Sequence, residues 1–159
     1  MTDKQINGNN KVHLTQEGYD ELSSELTKVK DKEPAAIDRV TKAREHGDLS
    51  ENSEYHAARE DLALVQGRID ELEDLLARAI IIKNPAKNGT VDLGCKVTVT
   101  INNKEITYVL VGEYEADPQK QKISHDSPLG QALIGKKVGE KAEFEAPVGT
   151  VVYTIKKIH

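Results

Sequence analysis

The chain has 159 residues, enough for one ordinary domain or two small ones, with 31% charged side chains, only 4% aromatics and no Trp. So few large apolar groups exclude one broad core and suit a long, solvated helical element joined to a small domain, while plentiful Ala, Leu, Ile and Val argue against wholesale disorder. The formal net charge of −5 makes the chain a poor general ligand for duplex DNA, whose phosphates dominate such affinity.

The single Cys95 excludes an intramolecular disulfide framework and suits a reducing compartment. There is no signal-peptide pattern, and no apolar run approaches the roughly 20 residues of a membrane span. A soluble, cytoplasmic protein with no membrane partner is the expectation. Any nucleic-acid contact should be local or arranged by a partner.

Residues 1–12 are polar and Asn-rich and are expected to form a flexible tail. A helical pattern opens at Leu14-Thr15, where Thr15 can cap the first turn and Glu17 sits near the positive end of the helix dipole. Leu22, Leu26, Val29, Ala36, Val40 and Ala43 follow at helical spacing. Glu33 occupies one position of that seam, and Pro34 lies mid-run, which predicts a kink or a short break. In the next run Tyr55, Ala58, Leu62, Val65, Ile69, Leu72, Leu76 and Ala79 alternate steps of three and four, a heptad seam. Between the runs, His46-Gly47-Asp48-Leu49-Ser50-Glu51-Asn52 is short enough to force the helices antiparallel, with Gly47 able to end the first in a left-handed conformation. About 31 residues in each helix would span about 45 Å and hold the tip far from the rest of the protein.

Asn84-Pro85-Ala86-Lys87-Asn88-Gly89 breaks the pattern and marks a domain boundary. The predicted organisation is a tail over 1–12, a coiled-coil hairpin over 13–83 and a small domain over 84–159. Residues 1–82 hold 11 Lys and Arg against 18 Asp and Glu, a net of −7, and the remainder nets +2. In the second domain, strand-like runs cover Cys95–Ile101, Ile106–Gly112, Lys141–Ala146 and Val151–Ile158, with Asn102-Asn103 as a hairpin turn. Ser127 through Gly135 reads as one short helix, capped by Ser127, started by Pro128 and stopped by Gly135. Four strands around one helix make the chain α+β overall.

The tip carries the most chemical information. Asp48 and Glu51, three apart, are expected on one side of a helix's first turn, where two carboxylates can take a hard divalent cation such as Mg²⁺. Spacing alone favours a capping arrangement with Asp48 or Ser50 as the cap, and a cap would also hold the carboxylates in place. Two carboxylates are too few for a tight free site, so the remaining ligands would have to come from elsewhere. Arg44 and Arg59 lie within a few turns of the tip and can reach phosphate oxygens, although pairing with a neighbour such as Glu60 is the commoner fate of a helix-surface Arg. Packing is the expected job of Tyr55, His46 and His56 read as surface residues, and Cys95 reads as a buried hydrophobe. No phosphate-cradling Gly loop, His-Glu-x-x-His or Gly-x-Ser-x-Gly is present.

The segment from Ala43 to Glu60, with Arg44-Glu45-His46-Gly47-Asp48-Leu49-Ser50-Glu51-Asn52 at its centre, closely resembles the coiled-coil tip of the GreA/GreB transcript-cleavage factors. Leu14-Thr15-Gln16-Glu17-Gly18 is similar to the family's opening. Ile123 through Gly130 and Gly135-Lys136-Lys137-Val138-Gly139 resemble its second domain. The resemblance implies an elongation factor, not itself an enzyme, that docks on RNA polymerase and passes its hairpin down the secondary channel. There it would stimulate Mg²⁺-dependent cleavage of backtracked nascent RNA and so rescue arrested complexes. It implies Asp48 and Glu51 as the catalytic acids sharing Mg²⁺, Arg44 and Arg59 facing the RNA, and Asp126, Ser127 and Pro128 gripping the polymerase. The acidic hairpin resembles GreA-type members more than GreB-type ones, which carry a larger basic patch. A monomer is expected, and both tip acids argue against the inhibitory relatives.

The second domain is expected to be FKBP-like, an antiparallel sheet with one short helix, because Leu133 through Lys141 resembles a stretch of that fold. Shared architecture does not confer isomerase activity. Residues 83–159 hold only Tyr108, Tyr114, Phe144 and Tyr153 to line a proline pocket. A plain coiled-coil adaptor is the third reading, under which neutralising the tip leaves function untouched.

Overall fold

The computed structural model describes residues 11–48, 50–83 and 88–159. Leu49, residues 1–10 of the expected tail and residues 84–87 of the expected boundary segment lie outside them. The chain divides into two compact units, Tyr19–Arg78 and a second that joins Ala79–His159 to the residues preceding Tyr19.

The first unit is the helical hairpin. Helix α1 (Gln16–Arg44) has 29 residues and α2 (Ser53–Arg78) has 26, so α1 extends about 44 Å. Thr15 caps α1 by accepting the Gly18 amide on its hydroxyl at 3.0 Å. Ion pairs set the antiparallel register: Lys30–Glu73 at 2.5 Å and Arg39–Asp61 at 2.7 Å, with Arg68 donating from Nε and Nη2 to Glu25. From Lys30 to Arg39 along α1 the partner falls from Glu73 to Asp61 along α2, as antiparallel helices require.

The seam positions Leu22, Ala36, Ala43, Tyr55, Ala58, Ile69 and Leu72 are buried. Near the end of α2 it is Leu75, not the expected Leu76, that is fully buried, and Ala79 has left the helix for a strand. Glu33 is half-buried in the seam and accepts from the Gln66 amide at 3.1 Å, which satisfies one of its oxygens. Of the kink or short break expected at Pro34, the break does not occur, for α1 runs through it. A proline forfeits one hydrogen bond, but the ion pairs of Lys30 and Arg39 on either side tie both flanking turns to α2.

The second unit begins earlier than the sequence suggests. Strand β1 (Val12–Leu14) pairs in parallel with β2 (Ala79–Ile81). Val12, expected in the tail, is therefore strand, with Val12 and Leu14 both buried. Neither three-residue strand can be read from periodicity, because their pairing joins segments more than sixty residues apart. The main sheet has the order β5-β4-β3-β7-β6, with β3 (Lys96–Ile101), β4 (Lys104–Val111), β5 (Lys122–Ser124), β6 (Lys141–Ala146) and β7 (Gly149–Ile158). The four expected strands are present and antiparallel; the unexpected fifth, β5, adds in parallel to the edge of β4. Asn102 and Asn103 turn between β3 and β4 with φ of 50° and 61°, the conformation a two-residue hairpin needs.

Alternation places Val97 and Val99 of β3, Leu110 of β4 and Tyr153 and Ile155 of β7 in one core with Val91, Cys95, Leu133 and Ala142. Helix α3 (Pro128–Leu133) contributes Leu133 and is capped by Ser127, whose Oγ accepts the Gly130 amide at 3.0 Å. Gly135 follows with φ of 77°. Gly130 is needed there, because a Cβ would run into the Ser124 carbonyl.

Glu115, in a 3₁₀ turn over Glu113–Glu115, is buried at 9% exposure. Its Oε2 accepts the Thr15 amide at 3.0 Å and the Gly112 amide at 3.1 Å, and its Oε1 accepts the Thr15 hydroxyl. A Cβ at Gly18 would collide with this carboxylate, and one at Gly112 with the His13 carbonyl. Three donors on one buried carboxylate tie Thr15 to Gly112 within the second unit.

Candidate site at the hairpin turn

The turn between α1 and α2 is longer than the sequence implies, running from Glu45 to Asn52, with Gly47 at φ 109°. Asp48 and Glu51 therefore precede α2 and do not sit in its first turn. The helix cap is Asn52, not Asp48 or Ser50: the Tyr55 amide donates to Asn52 Oδ1 at 3.1 Å. The same side chain reaches back, its Nδ2 donating to the Ala43 carbonyl at 2.8 Å. Asn is among the strongest N-caps, so the signal was present in the sequence, but the Asp48-x-x-Glu51 spacing offered a competing box one turn earlier.

Asp48 is fully exposed, and among the described residues only its Oδ1 is engaged. It accepts the Ser50 hydroxyl at 2.8 Å and the Ser50 amide at 3.1 Å. These bonds, the hydroxyl first, hold the carboxyl below the usual carboxylate range and keep it ionised. Glu51 is exposed. Among the described residues no group of three His, Cys, Asp or Glu side chains comes together to hold a metal. Two exposed carboxylates, one with an oxygen left open, fit part of a hard cation's shell and need a second source for the rest.

Beneath the turn, Ala43, Ala58 and Tyr55 form a buried cluster backed by Val40. Arg59 does not pair with Glu60 but lies over the Tyr55 ring, 5.7 Å from its centroid. Arg44 closes α1, exposed, with no ion pair among the described residues. His46 and His56 are exposed, His56 tilted against Tyr55 at 5.7 Å.

In the second unit, Asp126, Ser127 and Pro128 lie together before and at the start of α3. Asp126 is exposed and 3.3 Å from His125 Nε2, while Ser127 donates to the Ser124 carbonyl at 2.6 Å as well as capping the helix. The aromatics go into packing. Tyr153 stacks on Phe144 and meets Tyr108 edge-on, and burial followed by the Tyr153 hydrogen bond pushes the Tyr108 phenol up to about 12. No helix of the described residues is long and apolar enough to cross a membrane.

A two-helix hairpin with an exposed acidic turn, followed by a small mixed sheet, defines a coiled-coil factor built from two compact units. The family profile described as "Transcription elongation factor, N-terminal" matches residues 12–81, and that described as "Transcription elongation factor, GreA/GreB, C-term" matches residues 86–159. Transcription elongation factor GreA of Rhodopseudomonas palustris is 47% identical over 152 residues, covering 93% of this chain and 96% of the relative. That of Rhodospirillum rubrum is 46% identical, covering 91% and 95%. The chain belongs to the GreA/GreB family of transcription elongation factors. Among solved structures, the GreA factor homolog 1 (Gfh1) protein of Thermus thermophilus aligns with 30% identity over 94% of this chain and 99% of that one, at a TM-score of 0.44.

Proposed function

We propose that this elongation factor binds RNA polymerase and stimulates its cleavage of backtracked nascent RNA, lending Asp48 and Glu51 to the polymerase active centre. The observation that carries this is the state of Asp48: ionised, exposed, fixed through one oxygen by Ser50 and, among the described residues, open at the other. A carboxylate bound in this way is already aimed and sheds little freedom on binding. Glu51 stands on the same turn. The pair supplies too few ligands to hold a cation alone, which favours an activator over a free nuclease.

Mg²⁺ shared with the polymerase would supply Lewis acidity and a template for the attacking water. Within that arrangement Asp48 contributes negative charge, and Glu51 contributes a second acceptor for ligand or water. Arg44 and Arg59 face the phosphates of the extruded RNA, Arg59 steadied by the Tyr55 ring. The α1–α2 hairpin provides the reach into the secondary channel. Asp126, Ser127 and Pro128 form the docking contact, with Ser127 and Pro128 fixed by their roles at the start of α3. The factor acts as a monomer in the cytoplasm.

The test is RNA cleavage in halted, backtracked elongation complexes, comparing wild type with the Asp48→Asn/Glu51→Gln pair. Wild type should accelerate Mg²⁺-dependent cleavage, while the pair should bind equally well and lose the stimulation, a drop on the order of 100-fold or more. Equal stimulation by both proteins would reduce the acids to turn residues. Binding without stimulation by either would make the chain an inhibitor or adaptor.

A further inference from the structure

We infer that Asn52 is a positioning residue for the tip acids, an inference that rests on the cleavage role proposed above for Asp48 and Glu51. Its amide is shared between two helices: Nδ2 donates to the Ala43 carbonyl near the end of α1, and Oδ1 accepts the Tyr55 amide at the start of α2. The Asn52 carbonyl also accepts the His56 amide at 3.1 Å, the first hydrogen bond of α2. Every residue of the acidic turn lies between Ala43 and Asn52, so this one side chain closes the loop that carries Asp48 and Glu51. The Ala43 carbonyl takes the His46 amide as well, at 3.3 Å, so the same oxygen anchors both ends of the turn. Ala43, Tyr55 and Ala58 are buried below it and give the bridge a rigid floor.

The chemistry of the side chain is specific. Asp can cap α2 but has no proton to donate to a carbonyl; Ser caps and stays neutral but is too short to span both helices; Gln adds a carbon and displaces the cap. Without the donor, the turn keeps the Asp48–Ser50 bonds and Gly47 but loses the side-chain tie across its two ends, and the two carboxylates sample a wider volume. A cation whose ligands come from two proteins tolerates little such misplacement, and an error of about 1 Å can cost on the order of 100-fold.

Asn52→Ser isolates the bridge from the cap. In the free protein, hydrogen exchange should show the Tyr55 amide still protected but the Ser50 amide, held by Asp48, exchanging faster. The thermal midpoint and affinity for the polymerase should stay near wild type. Cleavage at saturating factor should fall roughly 10-fold to 100-fold and need more Mg²⁺. Unchanged Ser50 exchange with wild-type cleavage would overturn the proposal. So would a loss of activity explained by lower helicity or weaker binding at unchanged Mg²⁺ dependence, which would make Asn52 an ordinary cap. The Asp48→Asn/Glu51→Gln pair, run alongside, separates the two layers. If it cleaves like wild type, the underlying role of the acids fails and the positioning role falls with it; if it is inactive while Asn52→Ser is normal, only the positioning role fails.

Discussion

Ser50 decides the electrostatic state of Asp48, since its hydroxyl and its amide both stabilise the carboxylate form through Oδ1. The folded pKa lies below the unfolded one, so this interaction is present above the usual carboxylate range and is lost as pH falls through the depressed value. Ser50→Ala removes the larger of the two bonds and keeps the amide. An NMR titration of the Asp48 carboxyl in the free protein should then show it protonating at higher pH than in wild type. An unmoved titration would mean that the hydroxyl bond is absent in solution. Asp48 and Glu51 were recognisable as an exposed acidic pair from residue type and the resemblance. The bridging role of Asn52 was not, because its second partner is a backbone carbonyl on another helix, and carbonyls leave no mark on a sequence.

For the helices, legibility followed length. Twenty-nine and 26 residues of sustained spacing carry many turns of signal, so both seams could be read and only the last turns drifted. The strands from β3 to β7 divide in the same way. The hairpin of β3 and β4 announced itself through Asn102-Asn103, whereas the three-residue β5 has no pattern of its own and exists by pairing with the edge of β4. Pro34 shows a local preference overruled by neighbours. It is exposed, so its ring contributes little packing, and the helix carries its cost uncompensated at that position. Pro34→Ala should therefore stabilise the hairpin by about 1–3 kcal/mol, seen as a higher midpoint of urea unfolding followed by far-UV circular dichroism. A lower midpoint would show that the proline fits a local bend the hairpin requires.

Across the whole molecule, the joint between chain segments is made by Glu115, one hundred positions from Thr15 in sequence. Glu115→Gln places an amide where two backbone N–H groups and a hydroxyl now find acceptors, so that at least one of these donors, the half-buried Thr15 hydroxyl when the Gln carbonyl takes the Oε2 position, loses its acceptor. A loss of about 2–3 kcal/mol in thermal or denaturant unfolding is expected, and a neutral result would show that water satisfies those donors. Sequence alone determined the class: charge, scarce aromatics, two heptad runs and a few well-marked turns dictate a helical hairpin and a small sheet. The tip acids proposed to act in cleavage are exposed and carry their own signature. Tertiary structure alone decided where the acidic turn ends, which side chain closes it, that β1 belongs to the second unit and that Glu115 secures the start of α1. Each of those depends on a polar group finding its partner, across the turn for Asn52 and far along the chain for β1 and Glu115, and hydrophobic periodicity, which records only how a segment faces its own core, is silent about such pairs.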